Sequence, residues 1–368
     1  MKKIIFGITD LGIGGAERVL VDLANRLCDD YYITIFTLYP GWALEKELKS
    51  KIKLISYYDK PYKEYSKLKR LKISLDVLRT VKPPEGYDKY IAFLEGPITR
   101  VFTRAEGKKV AWIHNDISKV YGNSFKAKTK IAIEQALYEE YDKLIFVSNE
   151  NLEDFKKTYD FKFEYEVIRN YLDYEKILKK SEEKVKLPYN PKEINLLQVG
   201  RLVDQKAVDR FIEIHAELEK EGVHSKVYII GEGELHEELQ KKIDDLGETE
   251  NFYLLGIREN PYPYIKGADF FCLLSYYEGY GMVVDEAKIL NKPIIITDTA
   301  AREAIEGYDR SLVLANNKKD IKKGLKELLT SDDIERIEKA ELDQDELLLN
   351  TKMYYKNIID KVEKILNY

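Results

Sequence analysis

Two glutamates stand eight residues apart in the stretch 275-SYYEGYGMVVDEAKILNKPIII-296. Glu278 lies beside Gly279 and Gly281, which places it in a loop. The following VVDEAKIL has helical periodicity, so a helix starting near Met282 carries Glu286 in its first turns. Eight helical residues span about 12 Å. The carboxylate pairs that cleave glycosidic bonds stand roughly 5–9.5 Å apart. Two carboxylates so arranged suit a grip on separate parts of one long ligand, with the glycine-framed turn offering backbone N–H groups between them. Two surface carboxylates are the plainer alternative, although a glutamate in so apolar a segment is costly without partners.

A second polar constellation is 200-GRLVDQKAVDRF-211, in which Arg201 and Lys206 fall in a strand-to-helix turn. A forked guanidinium and a point-charge ammonium suit a diphosphate. A solvated turn paired with Asp204 and Asp209 is the competing reading. Near the start, 12-GIGGAE-17 joins a strand to a helix, a turn that can present amides to an anion or simply pack tightly. A dinucleotide fingerprint would need glycine where Glu17 stands and an acid after the second strand, which ends FTLYPG; both features argue against that chemistry. His114 closes the strand in 109-KVAWIHNDIS-118, either as a core histidine or as a site residue. Glu95 in FLEGP and Asp116 are the candidate acceptor contacts, with packing or capping an equal explanation for Glu95.

These residues must be positioned by strands and helices, and the chain supplies both in alternation. Apolar runs at 3–8, 32–38, 89–94, 109–114 and 143–148 form one series, and 194–200, 226–231, 252–256, 270–275 and 293–297 a second. Amphipathic stretches at 16–27, 208–222 and 235–247 lie between them. Continuous apolar strands alternating with helices imply parallel sheets covered on both faces. The charged, two-proline stretch 174–192 breaks the pattern, which predicts domains at 1–173 and 193–350 with a linker between and a terminal helix over 351–368, possibly crossing back to the first domain. At 368 residues, two domains are also what length alone implies. Ligands of such sheets bind beyond the carboxyl ends of the strands.

Composition narrows the function. A net charge of −5 argues against wholesale nucleic-acid binding. The four histidines and two cysteines show no metal-ligand spacing, and Cys28 and Cys272 read as buried thiols of a reducing compartment. The run Asp343–Gln344–Asp345 reads as a solvated helix face rather than a metal motif. Asp10 interrupts the first apolar run too early for a signal peptide, which leads to the expectation of a cytoplasmic protein. Residues 60–84 carry eight Lys/Arg against Glu64 and Asp76, with tyrosines and leucines interleaved; this patch suits either an anionic membrane surface or plain solvation.

GITDLGIGGAERVL, VGRLVDQKAVDRF, IIGEGEL, YEGYGMVVDEA and NKPIII, in this order, resemble glycosyltransferase family 4 over nearly the whole chain. That resemblance implies the GT-B fold, two doubly wound Rossmann-like domains facing across a cleft, the first for the acceptor and the second for the nucleotide sugar. It implies a retaining, metal-independent transferase without cofactor, moving a sugar from a nucleotide-diphosphate donor, expected to be UDP-linked, to a glycan or lipid-linked acceptor in cell-surface polysaccharide or glycolipid synthesis. Glu278 would contact the donor sugar and, with His114, carry catalysis. Glu286 would hold the ribose, Arg201 and Lys206 the diphosphate. Gly279, Tyr280 and Gly281 would offer amides, and Gly14, Gly15 and Gly231 would line the donor site. Three departures stand out: Ala207, Asn291 and the Ala300–Ala301 pair occupy positions where the family favours glycine. A nucleotide-sugar epimerase, a phosphorylase and a non-catalytic partner subunit of the same fold remain alternatives.

Overall fold

Strand β1, Lys3–Ile8, is flanked by β2, Tyr32–Thr37, and β4, Lys89–Ala92, because a run such as Ile4–Ile5–Phe6 can lose water only in the middle of a sheet. The computed structural model describes residues 1–12, 14–115, 125–330 and 344–368, of which 125–128 and 344–345 by backbone alone. Met1–Leu172 together with Tyr355–Tyr368 form one compact unit, and Asp173–Tyr354 a second.

The first unit holds a seven-stranded parallel sheet in the order β3-β2-β1-β4-β5-β6-β7, with β3 at Lys53–Ser56, β5 at Lys108–Ile113, β6 at Lys143–Phe146 and β7 at Tyr165–Val167. The second holds six parallel strands in the order β10-β9-β8-β11-β12-β13. These are Asn195–Val199 (β8), Lys226–Ile230 (β9), Phe252–Gly256 (β10), Phe270–Leu273 (β11), Ile294–Thr297 (β12) and Ser311–Leu314 (β13). Both are doubly wound sheets whose order reverses beside the first strand, between β1 and β4 and between β8 and β11. At those switch points the chain leaves the two neighbouring strands in opposite directions and opens a crevice at their carboxyl ends.

Ten strands coincide with the apolar runs of the sequence; β3, β7 and β13 do not. All three lie at sheet edges, and their residues are mostly half-buried or exposed. An edge strand with one wet side needs no continuous apolar run, so periodicity alone passes over these three, whereas the edge strand β10 keeps an apolar run and is found.

Segment 174–192 includes the helix Tyr174–Ser181, which packs within the second unit, where Asn260 Nδ2 donates to the Lys180 carbonyl at 2.9 Å. The last helix extends over Gln344–Asn367, and its residues from Tyr355 onward belong to the first unit. There Tyr355 meets the Tyr171 ring edge-on, and Asn367 Nδ2 donates to Tyr31 Oη at 3.0 Å. No helix among the described residues is long and apolar enough to cross a membrane. Cys28 and Cys272 are both buried free thiols, and burial pushes the Cys272 thiol up.

Two residues other than glycine adopt positive φ among those described, Ala207 at 49° and Asn291 at 53°. They are two of the positions singled out above as departures from glycine. Left-handed backbone costs an L-residue roughly 1–2 kcal/mol, least for asparagine, so the turn after Lys206 is held against a local preference by its surroundings. Replacing Ala207 by valine, whose branched Cβ cannot relieve that strain, is expected to cost on the order of 2 kcal/mol in urea denaturation.

Candidate active site

In the second unit the crevice between β8 and β11 is bridged by one ion pair. Lys206 Nζ meets Glu278 Oε1 at 2.6 Å, with side chains 14% and 5% exposed. Lys206 reaches there because the chain leaving β8 makes a single 3₁₀ turn, Asp204–Lys206, closed by the left-handed Ala207. Gly200 leaves room for the lysine stem: a Cβ there would stand 3.1 Å from its Cε. The buried Gln198 amide fixes both sides, donating to the Lys206 carbonyl at 3.0 Å and accepting from the Leu274 amide at 3.4 Å.

Glu278 is held from the β11 side. Ser275 Oγ donates to the same Oε1 at 2.5 Å, so one carboxylate oxygen receives an ammonium and a hydroxyl. Gln205 crosses back, donating to the Tyr277 carbonyl and accepting from the Tyr276 amide through its own carbonyl. Arg210 is buried and donates to the Leu274 carbonyl at 2.6 Å, its guanidinium 4.3 Å from the Tyr276 ring centre.

The helix after this loop runs Met282–Ile289, starting where the periodicity predicts. Gly281, at φ +75°, is its N-cap, a conformation that glycine supplies without strain. Tyr280 is 3% exposed and its hydroxyl pairs with that of Tyr354 at 3.1 Å, so only its backbone is left to face a ligand. Glu286, in the second turn, is 8% exposed and accepts from Tyr262 Oη at 3.4 Å. Arg201 is exposed, and none of the described residues pairs with its guanidinium. Gly231 allows a close backbone approach: a Cβ there would fall 1.9 Å from the Gly200 carbonyl oxygen. Its bareness lets β9 close against the turn that carries Arg201.

The first unit presents its own groups at the carboxyl ends of β1, β4 and β5. Gly14 caps the helix Gly15–Leu27. His114 follows β5, its ring 4.9 Å from that of Phe93 and stacked at 6.4 Å on Trp112. Burial holds the imidazole down at about 3, so it is neutral, and its buried Nε2 has no hydrogen-bond partner among the described residues. The Glu95 carboxylate is already occupied. It accepts from the amides of His114 at 2.6 Å and Asn115 at 2.7 Å and from Asn115 Nδ2 at 3.1 Å, while burial pushes its pKa above the usual carboxylate range. Glu95 thus pins the loop that carries His114, as the capping alternative expects. Asn151 Nδ2 secures the same loop through the Asn115 carbonyl. Asp116 and Asp343 lie outside the described residues, and Gln344–Asp345 open the backbone of the last helix.

Sequence reasoning did not single out Ser275, Gln198, Gln205, Tyr262 or Asn115. Ser275 and Gln198 carried a signal, since each is a polar residue in an otherwise apolar strand run; Tyr262 carried none, because only the fold brings it to Glu286.

Residues 13–176 match the profile described as Glycosyltransferase Family 4, and residues 179–342 the one described as Glycosyl transferases group 1. The chain belongs to glycosyltransferase family 4. This glycosyltransferase is 29% identical over 347 residues to the Campylobacter jejuni N-acetylgalactosamine-N,N'-diacetylbacillosaminyl-diphospho-undecaprenol 4-alpha-N-acetylgalactosaminyltransferase, covering 91% of this chain and 92% of that one. It is 28% identical over 308 residues to a second Campylobacter jejuni enzyme, the GalNAc-alpha-(1->4)-GalNAc-alpha-(1->3)-diNAcBac-PP-undecaprenol alpha-1,4-N-acetyl-D-galactosaminyltransferase, covering 78% and 77%. Among solved structures, Anabaena HepE in complex with UDP and glucose superposes with a TM-score of 0.75 over the full length of both chains at 16% identity. The fold of the glycosyltransferase is therefore GT-B, two parallel-sheet α/β domains.

Two measurements probe this geometry. Lys206→Met strands a buried carboxylate and is expected to cost about 3 kcal/mol in chemical denaturation, of which Lys206→Met/Glu278→Gln regains more than half. His114 has its proton affinity depressed from 6.5, so the folded state binds no proton there while the unfolded state does. Its contribution to stability is complete above pH 6.5 and is lost as pH falls toward about 3. The stability curve of His114→Gln should lack that one-proton slope and match wild type in shape above pH 6.5.

Proposed function

We propose that this glycosyltransferase is a retaining hexosyltransferase that transfers a sugar from a UDP-sugar to a lipid-linked glycan in cell-surface polysaccharide or glycolipid synthesis. The observation that carries the reading is the Lys206–Glu278 pair across the β8/β11 switch point, with the uncommitted Arg201 beside it. In the free protein the two charges neutralise each other. In the donor complex Lys206 and Arg201 take the diphosphate, and Glu278, released, accepts from hydroxyls of the donor sugar. Glu286, in the second turn of the short helix that Gly281 caps, holds the ribose. The amides of Gly279, Tyr280 and Gly281 lie at the N-terminal end of that helix, where backbone N–H groups favour an anion.

Breaking the anomeric C–O bond leaves negative charge on the departing diphosphate, and fixed cations and amides stabilise that charge as it forms. The neutral His114, whose Nε2 has no partner among the described residues, hydrogen-bonds the donor sugar or the reacting groups. A UDP donor is supported by the UDP and glucose bound to HepE, and a lipid-linked acceptor by the diphospho-undecaprenol substrates in the names of both Campylobacter enzymes. Those names also specify alpha linkages. With an α-linked nucleotide donor, an alpha product is retention. A lipid-linked acceptor further requires work at a bilayer surface.

The test is turnover of a panel of UDP-sugars with diphospho-lipid acceptors, with and without EDTA. One donor should be consumed only when acceptor is present, indifferent to EDTA, with the anomeric configuration kept. Glu278→Ala should lower kcat at least about 100-fold, and Arg201→Ala should chiefly raise the donor KM. Donor conversion without acceptor would assign an epimerase, and a requirement for free phosphate a phosphorylase. Folded protein that binds no nucleotide would assign a partner subunit.

A further inference from the structure

We propose that the outward face of the helix Lys67–Arg79 is a docking surface for an anionic lipid bilayer. This helix has two apolar faces. Ile73 and Val77 point into the first unit at 1% and 7% exposure. Leu68, Leu71, Leu75 and Leu78 remain exposed at 83%, 62%, 43% and 47%. At 100° per residue these four leucines fall within about 80° of one another, opposite Ile73 and Val77. A single exposed leucine needs no explanation, but four in one stripe make a patch that demands a cover.

The helix cannot turn this stripe inward. Ser66 caps its start, Oγ accepting from the Lys69 amide at 3.3 Å. Arg104 fastens its end, donating to the carbonyls of Val77 at 3.1 Å and Val81 at 2.8 Å. With Ile73 and Val77 seated in the core, the leucines are committed to the outside.

Charge decides what covers them. Lys67 lies along one side of the stripe and Lys72 and Arg79 along the other, all exposed, and Asp76, half-buried, is the helix's one acid. Residues 60–84 carry +6 on a chain whose total is −5. Two copies packed leucine to leucine would set these cations against each other. An anionic headgroup layer instead matches them, while long basic side chains lie along the apolar surface and leave their charges at the interface. A helix with leucines on one side and flanking lysines lies in the plane of a membrane, its apolar face at the acyl boundary. Nearby, Tyr62 is 36% exposed with the Arg70 guanidinium 5.5 Å from its ring centre, the amphipathic kind of side chain that suits headgroup depth.

The experiment is sedimentation of the full chain with vesicles of phosphatidylcholine, with or without about 30 mol% phosphatidylglycerol, at about 0.1 M and about 0.5 M salt. Wild type should bind the anionic vesicles, more weakly at the higher salt, and not the neutral ones. Leu71→Ser/Leu75→Ser and Lys67→Gln/Lys72→Gln/Arg79→Gln should each lower the partition coefficient at least about tenfold, with far-ultraviolet circular dichroism unchanged. No binding of wild type at low salt, equal binding to neutral vesicles, or wild-type binding by both variants would overturn the proposal. Self-association in sedimentation velocity that is abolished by Leu71→Ser/Leu75→Ser would assign the face to a second copy instead. The vesicles contain no sugar donor or acceptor, so failure here leaves the glycosyl-transfer reading untouched.

Discussion

A buried ammonium and a buried carboxylate each need the other, and the second unit is organised around that need. Lys206 and Glu278 come from turns 72 residues apart, one leaving β8 and one leaving β11, and their contact at 2.6 Å spans the point where strand order reverses. The supporting residues hold that meeting in place. Gly200 gives room for the lysine stem, Gln198 fixes the two strand ends, Ser275 shares the carboxylate oxygen, and Ala207 accepts left-handed backbone so that the turn closes. Breaking either side leaves a largely buried charge without its counter-charge, which is why the arrangement behaves as one device.

The first unit uses a carboxylate differently. Glu95 spends its oxygens on the amides of His114 and Asn115 and on the Asn115 side chain. It orders the chain beyond β5, and the imidazole it presents is neutral because Phe93, Trp112 and burial exclude the charge. One unit thus keeps charges in reserve as a pair, and the other keeps a neutral polar atom in reserve. On the proposed reading, the first meets a diphosphate and the second meets the reacting sugar.

Much of this was legible in the sequence, for identifiable reasons. Central strands announce themselves because both faces are dry, as in FFCLL or IIIT, whereas β3, β7 and β13 at the edges do not. The start of the helix at Met282 followed from periodicity and the preceding glycines. The separate candidates Lys206 and Glu278 were readable as types at strand ends; that they pair with each other was not, because nothing local encodes which turns adjoin across a switch point. Glu95 shows the same limit: a glutamate after a strand reads equally as a ligand contact or a cap, and only the fold shows the two amides it accepts from. That Gly231 lets the backbone of Gly200 approach closely was likewise invisible in the sequence. The leucines of the helix Lys67–Arg79 were visible as residues interleaved with lysines, but which of them face outward depends on what Ile73 and Val77 pack against.

The central claim is that Glu278 holds Lys206 in the free protein and yields it to the donor diphosphate. Calorimetric titration of UDP and of a UDP-sugar into wild type and Glu278→Gln tests it most directly. If the claim is right, removing the carboxylate charge frees Lys206, so UDP binds Glu278→Gln several-fold more tightly than wild type while the added affinity conferred by the sugar disappears. UDP affinity that is unchanged or weaker in Glu278→Gln, with the sugar's contribution intact, would contradict it.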